Sequence, residues 1–152
     1  MSVKGDLAYQ LFKEGYNCSQ AVFGAFAEEL GVDFDTAVRL ASGFGGGIGR
    51  MREVCGTFTG LTMAASMLYG YDDPSDTATK TALYEKIRAL GDRFRAENGS
   101  IICRELLGLQ QAERSAVPEP RTSEYYKKRP CAELCRYAAD LLEEFIRENP
   151  IK

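Results

Sequence analysis

The sequence predicts an all-α fold, a single domain over residues 1–152 arranged as a bundle of six to seven helices around one core. Three observations predict it. Apolar residues recur three and four positions apart along most of the chain, and no run alternates in the two-residue period of a strand. Cap-forming residues precede these stretches and glycine or asparagine follows them. The 152 residues are 45% hydrophobic and 27% charged, an ordinary balance for a globular chain with its own core.

Each element has its own justification. Val3, Leu7, Leu11 and Phe12 form the apolar stripe of a first helix that stops near Gly15. Asn17 and Gln20 have the spacing of a capping box for a second helix, which runs through Val22, Phe23 and Phe26 to Leu30 and stops at Gly31. Asp35 is the expected cap of a short third helix covering Val38 and Ala41. A fourth helix is expected over about 53–69, with Gly56, Gly60 and Ala64 in a row that lets a neighbouring helix approach closely. Asp73 and Pro74 predict the start of the fifth and longest helix, with Leu83, Ile87, Leu90 and Phe94 as its buried stripe and Asn98-Gly99 as its end. Ser100 is the expected cap of a short sixth helix over 101–107. Residues 110–129 are polar, carry Pro118 and Pro120, and read as a long loop. A last helix is expected from about Pro130 through Leu134, Ala138, Leu141 and Phe145.

Composition excludes several kinds of chemistry. The net charge is −3, from 19 basic and 22 acidic side chains, with no basic stripe for nucleic acid. The longest mostly apolar stretch, 58–71, is too short to span a bilayer, so no membrane insertion is expected. The N-terminal segment carries charges throughout and has no signal-peptide core, which predicts a cytoplasmic protein. There is no histidine, so Ser-His and Cys-His catalytic pairs and His-containing zinc sites are ruled out within this chain. Carboxylates such as Glu143, Glu144 and Glu148 fall at the spacings of a solvated helix face.

The five cysteines remain. Thiols are reduced in the cytoplasm, so their number points to reactivity or metal binding more than to stapling. Cys18 follows the cap Asn17, Cys55 lies in the first turn of the fourth helix, Cys103 follows Ser100, and Cys131 follows Pro130. Four cysteines thus fall at expected helix N-termini, where the partial positive charge favours thiolate. Arg50, Arg52, Arg104 and the run 127–129 would lower the thiol pKa further, against Glu53 and Glu105. Cys135, one turn beyond Cys131, is either a second donor on that helix face or core. Taken singly, each cysteine reads as a small buried hydrophobe. No C-x-x-C is present, so any common site must be assembled by folding.

Residues 43–49 hold five glycines. They form neither G-x-G-x-x-G nor G-x-x-x-x-G-K-[ST], and no strand precedes them, so no nucleotide is expected. They read as the backbone freedom needed to bring the chain to the helix that carries Cys55.

YNCSQAV at 16–22, GFGGGIGR at 43–50, CGTFTG at 55–60, CRELLG at 103–108 and RPCAEL at 129–134 together resemble the C_GCAxxG_C_C family of small redox-active proteins. The resemblance runs in order along nearly the whole chain. It implies that Cys18, Cys55, Cys103 and Cys131 are the family's four cysteines and that Gly56 and Gly60 are its motif glycines. Thr57 stands where the family has alanine, and Cys135 where it has an aliphatic residue. A related domain accompanies haems in split-Soret cytochromes, where a cysteine-bound iron–sulfur centre is proposed; this chain lacks the haem motif. Family members are often encoded beside transporter genes, which implies transport-associated partners.

Three functions compete on this reading. The first is a redox protein whose Cys18, Cys55, Cys103 and Cys131 bind an iron–sulfur cluster or another thiolate-held metal for electron transfer. The second is metal-free thiol–disulfide exchange with a redox partner protein or small-molecule thiol, Cys55 attacking and Cys18 or Cys131 resolving. The third is a helical interaction module whose cysteines only pack.

Overall fold

The computed structural model describes residues 2–109 and 115–151. Its elements are α1 (Val3–Lys13), α2 (Cys18–Ala25), α3 (Ala27–Leu30), α4 (Phe34–Ala41), a 3-10 turn (Ser42–Phe44), α5 (Gly56–Tyr69), α6 (Thr77–Asn98), α7 (Cys103–Leu106), α8 (Ser123–Lys128) and α9 (Cys131–Glu148). The fold is all-α. Among the described residues the only extended pairing is an isolated antiparallel bridge between Val54 and Ile102.

The helix ends explain most departures from the expected boundaries. The Asn17–Gln20 capping box forms as expected. The helix it opens is then broken at Phe26, whose N–H bonds the Phe23 carbonyl in a tightened turn, so that α3 is separate and ends at Gly31 with φ +68°. Asp33, not Asp35, caps α4 by accepting from the Thr36 N–H. Asp73 accepts from the N–H and hydroxyl of Ser75 in a local turn, and Asp76 caps α6. Ser100 does not cap α7: Ile102 precedes it, and the Ser100 hydroxyl accepts from the Ile102 N–H and donates to Glu105. The expected loop over 110–129 contains α8, capped by Thr122; residues 110–114 of that expectation lie outside the described residues.

α2 is the hub. It packs on α1, α4, α5 and α9, while α1 and α9 make the most extensive helix pair. Phe12, Phe23, Phe94, Leu61, Leu90 and Leu142 are fully buried in one apolar cluster. The expected small-residue row holds. A Cβ at Gly56 would lie 2.9 Å from Cys18 Cβ, and one at Gly60 would lie 2.8 Å from the Ser19 carbonyl oxygen. Neither position has room for a side chain, which lets α5 lie directly on the first turn of α2.

A four-cysteine pocket at the helix starts

The segment before α5 is what carries Cys55 to the other thiols. The fourth helix was expected from about residue 53, but residues 52–55 are non-helical and paired with 101–104. The Cys55 N–H donates to the Ile101 carbonyl at 2.7 Å, the Cys103 N–H to Glu53 at 2.6 Å, and the Arg104 N–H to Arg52 at 3.2 Å. These residues cannot join α5 while their backbone groups serve this pairing. Cys55 therefore sits at the N-cap of α5 rather than inside its first turn. The same pairing sets Cys103, the first residue of α7, opposite it.

The glycine loop closes the other side. Gly46, Gly47 and Gly49 adopt positive φ, as do Ile48, Arg50 and Arg52. The three non-glycine residues carry a backbone cost of roughly 1–2 kcal/mol each. The loop meets the site at Gly47, where a Cβ would fall 2.6 Å from Cys103 Cβ.

Cys18, Cys55, Cys103 and Cys131 line one cavity of about 60 Å³, together with Arg52, Arg121 and Tyr125. That volume is several times the roughly 10–15 Å³ that one water needs. Cys18 and Cys131 are the first residues of α2 and α9. Both reach the same cavity wall, and the Cys135 Sγ lies 3.9 Å from the Cys18 carbonyl oxygen. Cys55 Sγ pairs with Thr57 Oγ1 at 3.1 Å. All five cysteines are free; Cys18 is half-buried and the others are buried. Among the described residues no three cysteine, aspartate or glutamate side chains are grouped to hold a metal ion. The four thiols share a cavity without closing around one ion.

The expected depression of the thiol pKa values is not found. For Cys55, burial outweighs the Thr57 hydrogen bonds and pushes the thiol from its ordinary 9.0 to about 11. For Cys18 the neighbouring Cys131 thiol acts downward, but the Cys135 thiol and burial carry it well above 9.0. Cys131 is raised by the neighbouring Cys18 thiol and then by burial. Burial raises Cys103 against Arg52, and raises Cys135 against the Cys18 thiol. Desolvation disfavours thiolate by more than the helix ends and cations favour it. The basic residues are also partly engaged elsewhere. Arg50 donates to the Ser115 and Val117 carbonyls, and Arg104 reaches the Arg52 carbonyl and Glu53. A low-pKa attacking Cys55 therefore does not describe this pocket.

Arg52 is the group that sequence reasoning under-read. It is 7% exposed, its Nη1 lies 3.6 Å from Cys103 Sγ, and its Nε has no hydrogen-bond partner. No carboxylate pairs with it among the described residues. A buried guanidinium without an anion is costly. Negative charge on the pocket sulfurs would relieve that cost. Position alone associated Arg52 with Cys55; the bridge between Val54 and Ile102 hands it to Cys103 instead.

This pocket defines a class: a helical, histidine-free protein with its cysteines gathered at helix starts. The particular family follows from comparison. A family model described as "Putative redox-active protein (C_GCAxxG_C_C)" matches residues 16–145, and the chain belongs to that family. Neither a curated protein nor a solved structure gives a significant match. Among the described residues no helix is long and apolar enough to cross a membrane.

Proposed function

We propose that this redox-family protein holds an iron–sulfur centre through Cys18, Cys55, Cys103 and Cys131 and exchanges electrons with a redox partner protein. The observation that carries the reading is the meeting of four thiols from four helix starts in one cavity beside the anion-free Arg52. The donor set is all sulfur, which suits a soft metal centre. A two-iron cluster needs two thiolates per iron and no trio around a single ion. The placement of Cys18 and Cys131 at the starts of α2 and α9, and of Cys55 and Cys103 on the paired segments 52–55 and 101–104, supports such a division into pairs. A bound centre of this kind would supply one-electron chemistry. Arg52 and Arg121 would offset thiolate charge, and the buried walls would keep bulk water away.

Anaerobic purification with iron and sulfide analysis and a visible spectrum tests this. Iron, sulfide and charge-transfer absorption are expected, and each Cys→Ser change at the four positions is expected to diminish them. Protein that stays colourless and metal-free after anaerobic reconstitution would overturn the reading.

One observation favours a second reading. Cys18 and Cys131, at the starts of α2 and α9, share one cavity wall, which suits a disulfide between them, with a small-molecule thiol or redox protein as the exchange partner. In that case Cys18 and Cys131 form the working pair, and Cys55, bonded to Thr57, stands aside.

A further inference from the structure

Cys135 is the cysteine that the four-thiol reading leaves unused. It is fully buried, outside the wall of the cavity, one turn along α9 from Cys131. Its Sγ lies 3.9 Å from the Cys18 carbonyl oxygen. Cys18 therefore has a cysteine on either side: Cys131 shares its cavity, and Cys135 lies in the core behind it.

We propose that Cys135 is a working thiol of the site: oxidised Cys18 exchanges its disulfide partner between Cys131 and Cys135, moving the oxidised link from the cavity wall into the core. The inference rests on the reading that the pocket thiols do redox chemistry, and it concerns the protein without a bound metal.

The chemistry balances with a hydroperoxide as the two-electron oxidant. The Cys18 sulfur attacks the peroxide, the O–O bond breaks, and Cys18 becomes a sulfenic acid as the alcohol or water departs. The Cys131 sulfur then attacks Cys18. The S–S bond forms, the S–O bond breaks, and oxygen leaves as water with the Cys131 proton. In the last step the Cys135 sulfur attacks Cys18, the bond to Cys131 breaks, and the Cys135 proton passes to the departing Cys131 sulfur. That exchange moves no net electrons and leaves no net charge in the buried site. It returns Cys131 to the cavity as a thiol.

Peptide mapping of the metal-free, full-length protein tests this. The protein is oxidised with hydrogen peroxide, acid-quenched, and digested without reductant by a protease that cuts after Glu133, which separates Cys131 from Cys135. Two linked species are expected in the wild type, Cys18–Cys131 and Cys18–Cys135, each lighter by two hydrogens than its reduced peptides. Cys131→Ser is expected to retain the Cys18–Cys135 link, and Cys131→Ser with Cys135→Ser to lose it. Finding only Cys18–Cys131 in the wild type, or only oxygenated Cys18 in Cys131→Ser, overturns the proposal and leaves the redox reading intact. Finding no intramolecular disulfide in the wild type overturns it as well. Joined to a failure to take up iron, that last result would remove the redox reading too.

Discussion

At the scale of single residues, the pocket is a contest between desolvation and charge. Cys55 is held as a neutral thiol because burial costs the anion more than Thr57 returns. In the metal-free folded protein its alkylation should rise only as pH approaches about 11, whereas the unfolded chain should label near the ordinary value of 9.0. The sign for stability follows. A folded pKa above the unfolded one favours the folded state fully below the unfolded pKa, and this is lost as pH climbs through the folded one. The metal-free protein should therefore lose stability between about 9 and 11, measured as a falling urea midpoint. A metal centre would reverse this, since coordinated thiols are deprotonated outright. Arg52 acts the other way at Cys103. Arg52→Met should slow Cys103 labelling and change Cys55 labelling much less, because Arg52 lowers the Cys103 thiol whereas burial and Thr57 dominate at Cys55.

At the scale of elements, two glycines hold the thiols together by being absent as side chains. Gly60→Ala would drive a Cβ to 2.8 Å from the Ser19 carbonyl oxygen and 3.1 Å from Val22 Cβ. It should cost about 1–3 kcal/mol in chemical denaturation by overpacking the α2–α5 contact. The loop offers a controlled comparison. Gly49 and Gly47 have similar positive φ, but Gly49 faces open space and Gly47 faces Cys103. Gly49→Ala should cost only the backbone term of roughly 1–2 kcal/mol, and Gly47→Ala should cost more and displace Cys103. The all-α class, the capping box at Asn17 and the close-packing glycines were legible in the sequence because each depends on neighbours three or four residues away. The start of α5 was not. Arg52 to Cys55 stay out of the helix because of a partner segment near residue 102, and no local pattern reports a partner that distant. α8 was obscured by the prolines ahead of it, although Thr122 is an ordinary cap. The four site cysteines could be placed at helix starts from sequence; the reversal of their pKa shift could not, since burial belongs to the assembled core.

At the scale of the whole molecule, the segment 115–130 contributes Arg121 and Tyr125 to the pocket wall and is tied down by arginines. Arg121 donates to the carbonyls of Phe12 and Tyr16 at 2.9 and 3.1 Å and stacks 4.2 Å above the Phe12 ring. Glu119 links Arg50 and Arg129. Arg121→Ala should cost about 2–4 kcal/mol, from two charge-assisted hydrogen bonds and the ring contact, and should speed labelling of Cys131. Glu119→Gln should cost under about 1 kcal/mol, because the carboxylate is 43% exposed and screened. Urea titration of both variants, with Cys131 labelling followed by mass spectrometry, separates the two effects.

The contact between the first turn of α2 and the second turn of α9 joins parts of the chain that are far apart, Cys18 and Cys135 being 117 residues from one another. A covalent bond there would encircle most of the polypeptide. For a loop of about 100 residues, the chain entropy removed from the unfolded state is worth about 4.7 kcal/mol. By linkage, the fold would return that energy to the bond: a two-electron couple shifts about 30 mV for each 1.4 kcal/mol. The redox potential of such a disulfide would then move with everything that stabilises the helices around it. Heat, denaturant or a bound partner would read out as a change in how readily the protein accepts electrons.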